Sequence, residues 1–541
     1  MRALAAILIS LVVAVPVASP ATYFVRPDGT GDLPTIQAAL GAAGAGDTIL
    51  LTDGTFLGSG NRDLDYLGKA VTVRSASGDP TSCVIDCEGS QTNQHRGFYF
   101  HRGEGAGSVL EGVTITRGWI GFSPEGGSGA CFLNASPRIA HCRFVSNHAE
   151  YVDGGGLYIV GTSPLLEDCV FLDNSATYAC GGGIRAGNAA LTLTNCTFYY
   201  NEATMDGGAI WCGGALSLTT GVFQGNTAWC GGAFRQYGNN PPLDLTNCVF
   251  QNNVAYGEYG GAIFLSPGSL FTMTDCIFRD NTAQKGGAIY GQDGATGTFT
   301  RCVLSGNAAS DRGGAIGCGQ YITNWALISC TLYRNYSPTG GSIRCTYDSH
   351  VNLNRCIVAS GLGGAAAACD ETSSVTAGCS DVFGNAGGDW VGPLEGQEGI
   401  NGNFSLDPCF CDAENGDYHL WNYSPCAQEG CGLIGAWPVG CEDPMAVERE
   451  PLPRGLSLSV WPNPVGGAAQ IRYVLPTADG QASLGVYDLA GRLIRAFESD
   501  ASGSLAWDGA DALGHRVAAG PYFFRMRVGE NELTKRVMLI R

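Results

Sequence analysis

Positive charge is scarce in this sequence. Its 541 residues hold 30 Lys and Arg against 49 Asp and Glu, a formal net charge of −19, and the basic residues gather nowhere. Phosphate recognition needs clustered Lys and Arg, so a nucleic-acid partner is excluded. Histidine is rarer still: the 7 are scattered without metal-ligand spacing, and no Gly- and Asp-rich calcium nonapeptide occurs, so neither a metal nor a cofactor is expected. Past the first residues no stretch is long and apolar enough for a transmembrane span. The several leucines per copy that a leucine-rich solenoid needs are also missing.

What is present begins at the N-terminus. Met1-Arg2 is basic, Ala3 to Val17 is almost wholly apolar, and Ser19-Pro20-Ala21 offers small residues for cleavage. Residues 1–21 therefore read as a signal peptide, with a buried terminal helix as the competing reading. Export puts the 23 cysteines in an oxidising compartment, and the odd count leaves at least one outside any internal pair. Gly contributes 81 residues, about twice ordinary usage, in a chain only 15% charged. Such a chain turns often and exposes neutral polar residues.

The turns are periodic. A small residue, then an aromatic or Leu two positions on, then Asn three further, recurs every 25 to 28 residues from Cys142 to Cys356. The aromatic members are Phe144, Phe171, Phe198, Phe223, Phe250 and Phe278, followed by Leu304 and Leu332. The amide members are Asn147, Asn174, Asn201, Asn226, Asn253, Asn281, Asn307 and Asn335. Between them falls a second column, two glycines followed by a small and an apolar residue, from Gly154 to Gly340. Propeller blades are longer, about 40 residues, whereas three short strands with turns close one coil of a parallel β-helix at this period. Like residues then stack about 4.8 Å apart. In Leu191-Thr192-Leu193-Thr194-Asn195-Cys196-Thr197-Phe198 the residues Leu191, Leu193, Cys196 and Phe198 should face inward, with a bend at Asn195. An Asn column can satisfy itself, since each amide both donates and accepts. The Cys column reads as small apolar packing, its parallel Cβ vectors being poorly placed for disulfides. Cys318 and Cys345 are the better candidates for exposure or pairing.

Both ends need covers. Pro34 to Leu40 reads as a short helix opened by Asp32 or Pro34, with Asp47 to Leu51 as the first strand. Residues 357–441 lose the register and hold seven cysteines, consistent with irregular coils and a cap that disulfides can staple. The Gly-Gly-Ala-Ile and Phe-x-x-Asn pattern resembles the right-handed β-helix superfamily related to pectin lyases, and in particular the repeats of chlamydial polymorphic outer-membrane proteins. Thr35-Ile36-Gln37-Ala38-Ala39-Leu40 with Gly46-Asp47-Thr48-Ile49 resembles the front of such proteins. Asp417-Tyr418-His419-Leu420, Ser424-Pro425-Cys426 and Ile434-Gly435-Ala436 resemble their end. The resemblance covers residues 22–441 and implies fold far more than function.

Residues 442–455, with Pro444, Pro451 and Pro453 among charges, read as a linker. From 456 to 541 seven short alternating segments suggest an immunoglobulin-like sandwich. The expected fold class is thus all-β, a right-handed parallel β-helix followed by a small immunoglobulin-like β-sandwich. Pro462-Asn463-Pro464, Tyr487-Asp488-Leu489-Ala490-Gly491-Arg492, Trp507-Asp508-Gly509, Gly514 and Gly520-Pro521-Tyr522-Phe523 resemble the Ig-like domain of flagellar hook-capping proteins and the sorting domain of type IX secretion. The closing Lys535 to Arg541 fits such a signal. That resemblance implies export machinery as a partner and a place outside, or on the outer membrane of, a Gram-negative-type cell.

Chemistry is harder to find. The Asn-Thr-Asp, Asp-Asp, Gly-His-Gly and Arg-Ile-Lys motifs of polygalacturonases are absent, as are the Trp-Ile-Asp-His of pectate lyases and the later pectinesterase motifs. No catalytic residue is assigned. Asp153, Asp206, Lys285, Asp311 and Arg312 precede the glycine pairs and read as solvated turn charges. A binding surface is easier to motivate. Tyr151, Tyr178, Met205, Trp229 and Tyr256 follow the Asn column by three or four residues on consecutive coils. They form either an outward apolar stripe suited to sugars or protein, or a satellite core folded over their own turns. The expected function is a non-catalytic adhesin, glycan binder or envelope component, with polysaccharide or a cell-surface protein as partner. The rival is a secreted polysaccharide lyase or glycoside hydrolase. Three or more carboxylates and cations converging in an outward groove would favour the rival.

Overall fold

The computed structural model describes residues 19–238, 242–428, 430–442, 457–461, 468–475, 482–488, 491–499, 503–518, 520–529 and 531–539. Residues 1–18 of the expected signal peptide, 443–455 of the expected linker and Pro462-Asn463-Pro464 lie outside these. The chain divides into two compact units, Met1–Cys441 and Glu442–Arg541.

Unit one is a parallel β-helix of about 13 turns. One coil shows why. Ile184–Gly187 and Leu191–Thr194 alternate inward and outward side chains, as does Thr197–Tyr199, and Glu202–Ala203 completes the circuit. Each strand pairs in register with its equivalent on the next coil: Ile184↔Ile210, Leu193↔Leu218, Phe198↔Phe223 and Glu202↔Thr227. Repetition builds stacks of 11, 14, 13 and 8 parallel strands, here called first to fourth in the order of this coil. The central coils therefore carry four strands where three were expected. The extra strand exists because the backbone bends twice around each Phe segment.

Both bends use the left-handed region. Asn195 has φ +52° and Tyr200 φ +55°, and their counterparts Asp168 and Asp173 both have φ +52°. Each such residue reverses the strand's phase, so the residue after it, Cys196 or Asn201, turns inward. The anticipated bend at Asn195 is the first of these. Leu191, Leu193, Cys196 and Phe198 are all buried.

Inside, like sits on like. Phe144, Phe171, Phe198, Phe223, Phe250 and Phe278 stack with ring centroids 4.6–5.0 Å apart and planes within 7°. In the Asn ladder, Asn174 Nδ2 donates to Asn201 Oδ1 at 3.0 Å, and Asn201 Nδ2 donates to Asn226 Oδ1 at 3.0 Å and to Phe171 O at 2.9 Å. The same bonds run through Asn147, Asn253, Asn281, Asn307 and Asn335, all fully buried. At the glycine pair, Gly181 has φ +69°, and a Cβ on Gly182 would stand 2.5 Å from Gly208 O. The coils approach there too closely for any side chain.

The ends correct several details. The helix is Ile36–Ala42, capped by Thr35, whose Oγ1 accepts from Ala38 N at 3.2 Å. Thr35 is the last residue with extended backbone, so it takes the role expected of Asp32 or Pro34. The first strand is Thr22–Val25, paired with Thr48–Leu51, which is the second. At the far end a last coil, Ala367–Cys369, Ser374–Gly378 and Asp381–Phe383, gives way to a small sheet of Phe410–Asp412, Asp417–Trp421 and Val439–Cys441. Disulfides Cys379–Cys431 and Cys411–Cys441 tie this cap. Cys318 and Cys345 are buried and not disulfide-bonded, contrary to expectation. They occupy the inward position that Leu265 holds lower in the first stack, where parallel strands keep their Cβ atoms side by side.

Unit two is two antiparallel sheets. Ser457–Trp461, Ala469–Val474 and Gly503–Trp507 form one; Leu493–Ser499, Ala482–Tyr487, Gly520–Val528 and Asn531–Leu539 form the other. Ile471, Tyr473 and Trp507 of the first pack against Val486, Phe524 and Met526 of the second in one core. The Trp507 indole donates to Ala510 O at 2.8 Å, so its only polar atom is satisfied inside.

Candidate functional site

After each inward Asn the chain runs extended for two or three residues, then must leave the coil to reach the glycine pair. The residue at that apex points outward. Tyr151 and Tyr178 take it with φ +59° and +57°. Tyr151, Tyr178, Met205, Trp229 and Tyr256 are each 48–62% exposed. Between coils, Tyr151 and Tyr178 stack at 4.8 Å with planes 9° apart, and Trp229 meets Tyr256 edge-on at 5.8 Å. The Tyr256 hydroxyl donates to Thr204 O at 2.9 Å, laying its ring back along the row.

Sequence inspection missed the sixth member. Phe122 is 76% exposed and stacks on Tyr151 at 4.6 Å. It follows Gly118 by four residues, and Gly118 stands where later coils have Asn, so the ladder pattern hides the coil. Beneath the row lie the methyl groups of Ala176, Ala179, Ala203 and Ala228. Alanines fill the space under the turns, and the large rings stay on top.

The turn charges beside the row are paired. Asp153 meets Arg185 at 3.2 Å and accepts from Cys180 N at 2.9 Å; Asp206 meets Arg235 at 3.6 Å; Lys285 meets Glu258 at 3.3 Å; Arg312 meets Asp311 at 2.9 Å. Burial raises the Asp206 carboxyl, opposed by the Arg235 guanidinium. The arginines also lie over rings: Arg185 between Tyr158 at 5.1 Å and Trp211 at 4.8 Å, Arg235 on Phe264 at 3.5 Å. These contacts make a structural ladder of alternating ring and guanidinium on the outside of the first stack.

Charges converge elsewhere. The cap segment Phe410–Trp421 folds back over the outer face of the third stack and encloses a cleft of about 580 Å³. Arg279, Asp280, Arg334 and Glu414 line it, with Tyr333 and Tyr336. Arg334 Nη1 donates to Glu414 Oε1 at 2.6 Å, and Arg279 Nη2 donates to Gln251 Oε1 at 2.7 Å. Burial raises the Asp280 carboxyl, with Arg279 opposing. Two cations and two carboxylates thus share one outward groove. Sequence inspection missed it because Glu414 is 80 residues from Arg334. A faint signal existed, since Asp280 and Arg334 immediately precede ladder asparagines at the outer corner. Among the described residues no three His, Cys, Asp or Glu are grouped to hold a metal, and no helix is long and apolar enough to cross a membrane.

No curated protein matches the chain. Among solved structures, dimeric latent PorU of Porphyromonas gingivalis is 22% identical over 15% of this chain and 9% of its own, with TM-score 0.14. PorZ of the same organism, described as an essential surface component of the type-IX secretion system, is 27% identical over 16% and 11%, with TM-score 0.14. Tailspike protein 3 of bacteriophage CBA120 is 12% identical over 87% of this chain and 64% of its own, with TM-score 0.27. The chain therefore spans less than two thirds of each. The model of the family described as "Right handed beta helix region" matches residues 49–228 and 232–393, more than half the chain. The stacked coils, their inward ladders and this match agree: the chain belongs to the right-handed β-helix family.

Proposed function

We propose that this protein is an exported, non-catalytic binding protein, an adhesin or envelope component, whose outward row of rings holds a saccharide chain. The observation that supports it is the row itself: Phe122, Tyr151, Tyr178, Met205, Trp229 and Tyr256 stay 48–76% exposed on consecutive coils. Exposing that much apolar surface is costly for a monomer, and contiguous patches of this kind mark interaction sites. Phe122, Tyr151 and Tyr178 cover one another's faces, so the row offers a saccharide chain a continuous apolar edge at coil spacing. Export is supported by the signal-like residues 1–21, and display by the resemblance of the C-terminal sandwich to sorting domains. In the test, the full chain and its Tyr178→Ala/Trp229→Ala form are compared on an immobilised glycan panel. Both substitutions are on the surface, so stability should change by only about 0.5 kcal/mol each. Retention should weaken roughly tenfold or more. Unchanged retention by a folded double variant would reject the reading.

The cleft charges support a second reading, a polysaccharide lyase or glycoside hydrolase. Asp280 and Glu414 in one groove are the minimum for acid–base work on a glycosidic bond. Incubation with the same polysaccharides, scored for reducing or unsaturated ends, tests it. No product, or product unaffected by Glu414→Gln, rejects it.

A further inference from the structure

We infer that the cleft beneath the cap hairpin is a second binding site, for a short neutral saccharide. It lies on the outer face of the third stack, whereas the ring row lies on the turn after the fourth, so the inference does not depend on the row. Its walls come from two regions that only the fold brings together. Arg279 and Tyr333 occupy equivalent outward strand positions two coils apart. Asp280 and Arg334 occupy the left-handed corners beside them, with φ +56° and +52°. Glu414 and Asn415 descend from the cap turn that ends at Gly416, φ +84°. The Cys411–Cys441 disulfide ties one strand flanking that turn, Phe410–Asp412, to Val439–Cys441, which pairs with the other flanking strand, Asp417–Trp421, so the cleft is formed before any ligand arrives.

The charge count selects the ligand. Two guanidinium groups and two carboxylates sum to zero, and each cation already has its carboxylate: Arg334 bonds Glu414, and Arg279 Nε is 3.9 Å from Asp280. An anionic ligand would have to displace those carboxylates. A neutral polyol does not, because each hydroxyl both donates and accepts and can bridge a guanidinium to a carboxylate. Arg279 Nη2 also donates to Gln251 Oε1 at 2.7 Å, which fixes the guanidinium in the cleft wall. Tyr336, 45% exposed, and the half-buried Tyr333 supply apolar faces for the carbon side of the sugar.

The test uses calorimetry on the full chain with cellohexaose, mannohexaose, xylohexaose and, as the charged comparison, hexagalacturonate. The host is the Tyr178→Ala/Trp229→Ala form, which removes the ring row as a competing site. At least one neutral oligomer should bind this form, and Glu414→Gln and Asp280→Asn should each weaken it roughly tenfold. Glu414 has a side chain 72% exposed, so its substitution leaves the fold intact even if that of Asp280 does not. The inference is overturned if no neutral oligomer binds, if only hexagalacturonate binds, or if neither substitution matters. Binding to the unsubstituted chain that vanishes in the double variant also overturns it, while supporting the ring row.

Discussion

Cysteine plays two parts in unit one, and the contrast between the coils and the cap shows how backbone geometry sets its chemistry. In the coils Cys142, Cys169, Cys196, Cys248, Cys276, Cys302, Cys330 and Cys356 occupy equivalent buried positions without forming disulfides. Each thiol donates to backbone instead: Cys196 Sγ to Thr194 O at 3.5 Å and to Leu166 O, one coil below, at 3.6 Å. Parallel in-register strands hold the Cβ vectors side by side, so sulfurs become neighbours without facing each other. At the cap the register is lost and the chain doubles back, so Cys431 meets Cys379 at a corner of the last coil, Cys411 meets Cys441 within the cap, and both disulfides form. Repetition makes a cysteine behave as a small apolar residue; irregularity makes it a cross-link. The exception within the coils supports this: at Gly221 the missing side chain is replaced by Leu218, whose Cδ2 lies 2.5 Å from where a Cβ would be.

Four measurements can break or sharpen this contrast. The largest effect belongs to the ladder that enforces the register. Asn201→Ala removes four buried hydrogen bonds and strands donors on Asn174 and a carbonyl on Phe171. It should cost about 3–5 kcal/mol in denaturant unfolding, at the known penalty per unsatisfied buried group; a cost below about 1 kcal/mol would show the register held by something else. Next, Cys411→Ser should cost about 3.6 kcal/mol, as expected for opening a loop of 30 residues, against about 1 kcal/mol for Cys196→Ala. Equal costs would erase the distinction between coil and cap.

A pH effect distinguishes the two regions more finely. Asp381, fully buried where the last coil meets the cap, accepts from Leu406 N at 3.0 Å and from Cys426 Sγ at 3.3 Å. Burial pushes its carboxyl well above the ordinary value. The folded chain thus binds this proton more tightly than the unfolded chain, whose carboxyl titrates near about 3.9, and the contribution to stability falls as pH rises above that value. Asp381→Asn lacks the loss, so its stability relative to the parent should increase from pH 4 to pH 7. A pH-independent difference would contradict the assignment. The smallest signal is a null one. Burial shuts the Cys142 thiol off from solvent and pushes it up to about 12, so iodoacetamide at pH 8.5 should leave Cys142 of the folded chain unmodified in a mass spectrum. Stoichiometric labelling at Cys142 would mean the coils open.

Much of this was legible because a repeat states its own register. Phe171, Phe198 and Phe223 recur at one offset, and in a stacked coil a shared offset means direct contact, so the core could be named from spacing alone. The same reasoning set Tyr151 and Tyr178 in one row, left open whether that row faced outward or folded over its own turns, and lost Phe122, where Gly118 breaks the column. It counted three strands per coil because a fourth strand as short as Glu202–Ala203 carries no alternation to detect. Cys318 and Cys345 were misjudged because a cysteine gives no sign of which way its strand faces.

The sequence by itself determined what repeats: the β-helix and its inward Phe, Cys and Asn columns, since each depends only on contacts between equivalent residues of adjacent coils. Only the tertiary structure decided what does not repeat. The cap cleft, the disulfide partners and the buried Asp381 join segments with no common period, and their positions follow from how the irregular end folds back on the regular coils.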